Sequence, residues 1–321
     1  MDAGLMKKAQ GVCGSIFREV KKAVIGKDDV IEYLLVALIS RGHVLIEDVP
    51  GVGKTTVAKA LARACGLECK RQQFTPDVMA SDITGFMIMD KQTGKFVYKP
   101  GVVMTNMLIA DEINRTSPKT QSALLEVMEE RVVTVDGVTH VLPDPFMVAA
   151  TQNPTGYVGT YPLPEAQLDR FMMKISMGYP TKEEELSILR DRRKTDPLND
   201  VQAVATQTDV LHLQKLATEV FMEDAVSEYI VSLVEQTRTH PDIQLAASPR
   251  ASLALMTASR ALALLKGRDF VLPEDVAEMF DPVVSHRLMV TPEAKIEQKE
   301  IADIIKEIFG SVKAPMTKKS V

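Results

Sequence analysis

Apolar residues recur at helical spacing at the start of the chain. Val12, Ile16, Val20 and Val24 stand about four apart, and Leu34, Leu35 and Leu38 come after Asp28 in a second such stretch, which predicts two helices. The period then changes. A short apolar run from His43 to Ile46 lies between Arg41-Gly42 and the glycine-bearing Pro50 to Gly53, and the alanine- and leucine-rich Thr56 to Ala64 comes next; strand, loop and helix are expected in that order. Met107 to Ala110, Phe146 to Thr151 and Met172 to Ile175 are further short apolar runs, set apart by helical stretches such as Lys119 to Glu130. This alternation predicts a parallel sheet covered by helices on both faces. Two hairpins interrupt it: Phe86 to Met89 with Lys95 to Tyr98 around Thr93-Gly94, and Val132 to Val135 with Val138 to Val141 around the turn-forming Asp136-Gly137.

Past Tyr179-Pro180 the strand pattern fades. Thr195 to Asp209, with Pro197, Asn199 and several polar residues, reads as a loop or linker, and the rest of the chain reads as helices near 210–221, 224–238, 249–266, 273–279 and 296–308. The expected organisation is an α/β domain over residues 1–195 carrying hairpins at about 86–98 and 132–141, a linker at 196–209, a helical domain at 210–312 and a frayed tail at 313–321.

Composition narrows the class. With 45% apolar and 25% charged residues the chain has the mixture of a globular protein. No apolar run reaches the roughly eighteen residues of a membrane span, and Met1 to Gln10 lacks the apolar block of a secretory leader, so a cytoplasmic location without membrane insertion is expected. Cys13, Cys65 and Cys69 are too few for a disulfide framework, and the histidines at 43, 140, 212, 240 and 286 show no metal-ligand spacing. The net charge of −5 argues against a protein built mainly to grip a phosphate backbone.

Pro50-Gly51-Val52-Gly53-Lys54-Thr55-Thr56 sits between the expected strand and helix, the setting in which a glycine-rich loop cradles phosphate. Glycines let backbone N–H groups turn towards phosphate oxygens, and the helix N-terminus adds partial positive charge. Lys54 is then expected to reach the β- and γ-phosphates of ATP, and Thr55 to set its hydroxyl on Mg²⁺. The full pattern asks for glycine five places before Gly53, where this chain has Asp48. Because the inward-facing amides come mainly from later residues, binding is still expected; the bland alternative is a tight turn without ligand. Met107 to Glu112 is an apolar strand ending in two acids: Asp111 to hold magnesium, directly or through water, and Glu112 to orient and polarise the attacking water. Asn153, just beyond a strand, is placed to touch the γ-phosphate or that water. Arg170 and Arg250, in the settings Leu168-Asp169-Arg170-Phe171 and Ser248-Pro249-Arg250, are candidates for stabilising the charge of phosphoryl transfer. Taken singly, such arginines are more often surface salt bridges.

In order, these segments resemble an AAA+ ATPase, and their wording is similar to the MoxR family: Val24-Ile25-Gly26, Val49 to Thr55, Asp111-Glu112-Ile113-Asn114-Arg115, Thr151-Gln152-Asn153-Pro154 and Leu163 to Phe171. The resemblance implies a P-loop NTPase (AAA+) fold, a three-layer α/β parallel sheet with a C-terminal all-α lid domain. It makes Val24, Ile25 and Gly26 the adenine pocket, Asn153 the first sensor, Arg250 the second sensor and Arg170 an arginine finger reaching the next subunit. A finger of that kind requires a ring, a homo-oligomer that in this family is usually a hexamer. The resemblance also places the two hairpins with inserts of the clade shared with magnesium chelatase subunits and MCM-type helicases, in which a displaced lid leaves open whether Arg250 serves its own or a neighbour's nucleotide.

The implied function is an ATP-driven remodeller of protein clients, assisted by a partner with a von Willebrand factor A (VWA) domain, as in metal-cofactor insertion. A nucleic-acid motor is the alternative suggested by the hairpins; the acidic tip Asp136-Gly137 opposes it, while Lys91, Lys95 and Lys99 on the other hairpin are compatible with a solvated edge. A metal chelatase subunit and a nucleotide-binding scaffold without turnover are the remaining classes, the last disfavoured by the joint presence of Lys54, Asp111, Glu112, Asn153 and Arg170.

Overall fold

The computed structural model describes residues 3–153, 159–191 and 196–316. Pro154 and the last part of the expected tail lie outside the described residues. The chain opens with α1 (Ala3–Val20) and α2 (Asp28–Ile39), then β1 (Val44–Glu47), α3 (Lys54–Ala64), β2 (Cys69–Gln73), α4 (Ala80–Thr84) and the hairpin β3 (Gly85–Met89) with β4 (Phe96–Pro100). Next come β5 (Met107–Asp111), α5 (Pro118–Glu130), the hairpin β6 (Val132–Val135) with β7 (Val138–Val141), β8 (Met147–Gln152), α6 (Glu165–Leu168), β9 (Met173–Ile175) and α7 (Lys182–Asp191). The C-terminal part holds α8 (Gln207–Glu219), α9 (Asp224–Thr239), β10 (Ile243–Leu245), α10 (Pro249–Leu265), α11 (Pro273–Val284), β11 (Met289–Val290), α12 (Pro292–Ile296) and α13 (Ile301–Ser311).

Strands pair in the order β2-β5-β8-β1-β9, all parallel. Every residue of β5 and β8 is buried, because helices cover both faces of the sheet, and the pleat divides their side chains between two cores. Val44, Ile46, Met107, Ile109, Met147 and Ala149 join the core shared with α1, α2, α3 and the C-terminal helices. Leu45, Leu108, Ala110, Val148 and Ala150 face the other core, with Leu124, Leu125 and Phe171. Helix α10 packs against α1, α2, α8, α9 and α11, so the C-terminal helices share one core with a face of the sheet. Among the described residues no helix is long and apolar enough to cross a membrane.

Several elements differ from the sequence reading. Strand β2, Cys-Lys-Arg-Gln-Gln, is polar because it is the sheet's edge and is only half-buried. Helix α7 was not expected; Thr181 and Glu184 cap its first turn reciprocally. The stretch 196–209 is not all linker, since it holds a 3-10 turn at Pro197–Asp200 and the Thr206–Asp209 capping box that starts α8. The C-terminal part is not all helix: β10 and β11 pair antiparallel. Helix α11 runs through Pro282 to Val284, beyond the expected end at residue 279.

His43 fixes the sheet to its covering helix. Its Nδ1 accepts the Val148 N–H at 2.9 Å, which leaves Nε2 to donate to the Met128 carbonyl at 3.0 Å. Complete burial pushes its pKa down to about 4. The unfolded chain therefore binds a proton that the folded chain refuses, and stability falls as pH drops from the unfolded value of 6.5 towards 4. The full effect is about 3 kcal/mol. His286, buried beside Arg287, is shifted in the same direction. Denaturant unfolding of His43→Gln should show lower stability than the parent at pH 8, but a shallower decline on acidification below about pH 6.5.

Candidate active site

The carboxyl ends of β1, β5 and β8 lie side by side, and the residues just beyond them meet around Lys54. The loop from Pro50 to Gly53 can turn there because Gly51 and Gly53 take φ of 91° and 98°, a region costly for other residues. Gly53 caps α3, which puts Lys54, Thr55 and Thr56 in its first turn, while Pro50 is exposed at the loop's start. The Lys54 ammonium is buried and donates to the Asp48 carbonyl, to the Gln152 carbonyl at 3.4 Å and to Asn153 Oδ1 at 3.3 Å. Burial lowers its pKa from the ordinary lysine value, against the pull of Asp48, Asp111, Glu112 and Glu47.

Asp111 is buried at the end of β5. Its carboxylate accepts from Thr55 Oγ1 at 3.2 Å, from Thr151 Oγ1 at 3.3 Å and from Arg71 Nε of β2 at 2.5 Å. Thr55 and Asp111 form a hard-oxygen pair of the kind Mg²⁺ takes. Glu112 stands at φ 57°, ψ 49°, a left-handed conformation held by its N–H donating to Thr151 Oγ1 at 3.0 Å. This twist turns its side chain towards Gln73 Nε2 (2.9 Å), Arg115 Nη1 (2.8 Å) and Asn153 Nδ2 (3.2 Å). Burial would raise its carboxyl pKa, but the hydrogen bonds from Arg115 and Asn153 and the charges of Arg115 and Lys54 outweigh it, and the group lies below the usual glutamate range.

A cavity opens beside the phosphate loop. Val24 and Ile25 line it together with Gly51, Val52, Gly53 and Thr56, with Met177 and Pro180 from the segment that enters α7, and with Ile188 of α7 itself. Gly26 is required by close approach: a Cβ there would lie 1.7 Å from Glu184 Oε1.

Arg170 and Arg250 do not join this group. They meet at Glu129, near the end of α5, with Arg170 Nε 3.2 Å from one carboxylate oxygen and Arg250 Nη2 2.5 Å from the other, and neither lines the cavity beside the phosphate loop. An ion pair between the buried Arg287 and Asp169 fixes their position. Arg287 Nε meets Asp169 Oδ1 at 2.7 Å, and its remaining donors go to the carbonyls of Asp169, Phe171, Met172 and Val283. Asp169 also accepts from Ser248 Oγ, the N-cap of α10, at 3.0 Å.

The chain that carries this arrangement has relatives among known proteins. The profile of the ATPase family associated with various cellular activities (AAA) matches residues 43–173, and that of the AAA lid domain matches residues 235–308. Chaperone MoxR1 of Mycobacterium tuberculosis is 42% identical over 97% of this chain and 84% of its own length. This chain belongs to the MoxR family of AAA+ ATPases. Protein YeaC of Bacillus subtilis, itself uncharacterised, is 50% identical over 96% of both chains. The crystal structure of a candidate ATPase from Cytophaga hutchinsonii superposes with a TM-score of 0.90, at 37% identity over 98% of both chains. The MoxR-family chain is an ATP-hydrolysing enzyme of the general chaperone-like kind, with a P-loop α/β core and a C-terminal helical lid, and its family works with ATP and Mg²⁺.

Several residues around the site carried no role in the sequence reading. Arg71 and Gln73 lie on the polar strand β2, whose pattern does not announce a strand, yet one pairs with Asp111 and the other with Glu112. Arg115 stood inside a recognised segment, three residues after Glu112, a spacing that lets the two side chains meet in the 3-10 turn at Ile113–Arg115. Asp169 likewise stood beside Arg170, and its partner Arg287 is distant in sequence.

A glutamate can take a proton from water only when unprotonated, and Arg115 helps hold the Glu112 pKa down; with Glu112 in the expected role of base, Arg115→Ala should move the acidic limb of kcat to higher pH in steady-state hydrolysis assays. Asp169→Ala strips the buried Arg287 of its counter-ion and should cost about 3 kcal/mol or more in denaturant unfolding.

Proposed function

We propose that this ATPase works as a ring, in which each chain's arginines belong to its neighbour's site and a single chain turns over poorly for want of them. Lys54 and the loop from Pro50 to Thr56, through the N–H groups that follow Pro50, hold the β- and γ-phosphates, Thr55 and Asp111 hold Mg²⁺, and Val24, Ile25 and Gly26 receive the adenine. When bound, Mg²⁺ neutralises phosphate charge as the γ-phosphoryl group leaves. Glu112 orients the attacking water and takes its proton, Asn153 sits between that carboxylate and Lys54 as the first sensor, and Arg170 and Arg250 stabilise the charge at the γ-phosphate of the adjoining subunit.

The observation that carries this reading is the shared engagement of Arg170 and Arg250 by Glu129, outside the cavity that takes the chain's own nucleotide. It favours Arg250 acting in trans beside Arg170. Two cations held by one partly exposed carboxylate can exchange it for a phosphate presented by another chain. A closed homo-oligomer, hexameric as the resemblance implies, presents such a phosphate at every interface.

The work done with this energy is remodelling of protein clients, by a helical lid that begins after residue 206, with a VWA-domain partner and metal-cofactor insertion as the specific case. A polypeptide client is favoured over nucleic acid by the hairpin β3–β4, where Phe86, Ile88, Met89, Phe96 and Val97 are all exposed. Apolar side chains in that number suit a protein surface, while a phosphate backbone is held by dense positive charge.

The test is turnover against protein concentration. Turnover should rise steeply with concentration, and Arg170→Ala and Arg250→Ala should each lower kcat about a thousandfold. Mixing Arg170→Ala with Glu112→Gln should restore part of the rate, since some interfaces then combine an intact Glu112 with an intact Arg170. Turnover independent of concentration and of Arg170 would remove the ring.

A further inference from the structure

The phosphate loop carries Asp48 where the full pattern has glycine, and in the folded chain this side chain does what no glycine could. Oδ1 accepts the Val49 N–H at 2.8 Å. Oδ2 accepts three further donors: Ser176 Oγ at 2.9 Å, the Met177 N–H at 2.8 Å and the Gly178 N–H at 2.6 Å. Burial would raise the carboxyl's pKa, but the bonds from Gly178, Ser176, Val49 and Met177 outweigh it and hold the group below the usual aspartate range. It is a carboxylate at neutral pH.

Residues 176–178 leave β9 and lead through Tyr179 and Pro180 into α7. Met177, between Ser176 and Gly178, lines the cavity beside the phosphate loop, as do Pro180 and Ile188 further along, with Val24 and Ile25. Met177 Cε lies 3.8 Å from where a Cβ on Gly53 would stand. The same segment has a second tie: Lys27 Nζ donates to the Tyr179 carbonyl at 3.2 Å. One carboxylate in the phosphate loop thus gathers the donors of a turn from which Met177, and Pro180 just beyond it, contribute to the wall of the cavity.

We propose that Asp48 is a specificity-determining positioning residue, which fastens the 176–178 turn to the phosphate loop so that Met177 and Pro180 stand as a fixed wall against the nucleotide base. This rests on the assignment of that cavity to adenine made above. The phosphates are gripped by other groups, namely Lys54, Thr55 and the loop amides. Loss of the Asp48 carboxylate should therefore weaken recognition of the base and leave the grip on the phosphates intact.

The experiment compares the full-length wild type with Asp48→Gly and Asp48→Asn in steady-state hydrolysis of ATP and GTP. Inorganic tripolyphosphate serves as a competitive inhibitor that has phosphates and no base, and thermal melting checks folding. Asp48→Gly should raise KM for ATP about tenfold, the scale of one charge-assisted hydrogen bond, with a smaller change in kcat. Its preference for ATP over GTP should fall and its inhibition by tripolyphosphate should stay as in the wild type. Asp48→Asn keeps an acceptor oxygen and should lie between the two. If Asp48→Gly does not fold, Asp48→Asn and Ser176→Ala, which removes one of the four donors, carry the same comparison. Parallel loss of ATP and tripolyphosphate affinity, or an unchanged ATP preference in folded variants, would overturn the proposal. A wild type that does not itself distinguish ATP from GTP would instead overturn the adenine assignment on which it rests.

Discussion

Parallel strands end at the same edge of a sheet, and in this chain that edge collects acids. Glu47 closes β1, Asp48 comes directly after it, Asp111 closes β5 and Glu112 comes directly after that. Their mutual repulsion in a partly desolvated site has to be offset, and Lys54 is the cation in the middle: its ammonium reaches oxygens from the ends of β1 and β8 at once. Three further cations complete the balance from the rim. Arg71 pairs with Asp111, Arg115 with Glu112 and Lys174 with Glu47. Lys54 thus contributes to holding the strand ends together before any ligand arrives, and its hydrogen bonds to neutral carbonyl and amide oxygens are ones that a phosphate oxygen can replace at little cost.

Balance of this kind limits what one chain can do alone. A triphosphate brings several negative charges into a site where Arg71, Arg115 and Lys174 are already paired with carboxylates. Magnesium, when bound at Thr55 and Asp111 as proposed, would supply part of the compensation, and the charge that spreads over the γ-phosphate oxygens during transfer needs a cation with a weaker prior claim. The Arg170 and Arg250 guanidiniums, sharing a single carboxylate, are such cations. On the ring reading proposed above, their absence from the lining of the chain's own cavity makes oligomerisation part of the chemistry.

How much of this was legible in the sequence depends on whether a residue's surroundings are local. The inner strands announce themselves, because burial on both faces demands short apolar runs such as Met107 to Ala110, and the phosphate loop is legible because its turn, glycines and lysine are contiguous. The hairpin β6–β7 matches its expected residues, since an Asp-Gly turn and alternation specify it locally. The edge strand β2 is not legible: its residues are polar because one side of it has no neighbour, and its roles emerge only when β5 pairs with it and sets Gln73 opposite Asp111. Asp48 reads as a defect in a motif until the chain returns 128 residues later and Ser176 meets it. The β10–β11 ribbon, of three and two residues, is too short to carry a period.

The same long-range ties bear on how hydrolysis can move the C-terminal helices. Asp169 immediately precedes Arg170, and its carboxylate is held by Arg287, just beyond α11, and by Ser248, which caps α10. Arg287 spends its other donors on the carbonyls of residues 169, 171 and 172 and of Val283, so it is fastened both to the sheet side and to α11. Arg250 lies in the first turn of α10. A rotation of α10 and α11 against the sheet therefore either carries the peptide of Asp169 and Arg170 along, which keeps the two arginines together, or breaks the ion pair of the buried Arg287 with Asp169. Breaking that pair costs several kcal/mol, so a motion at modest energy moves both arginines together, and whatever draws them to a phosphate draws the helices with them.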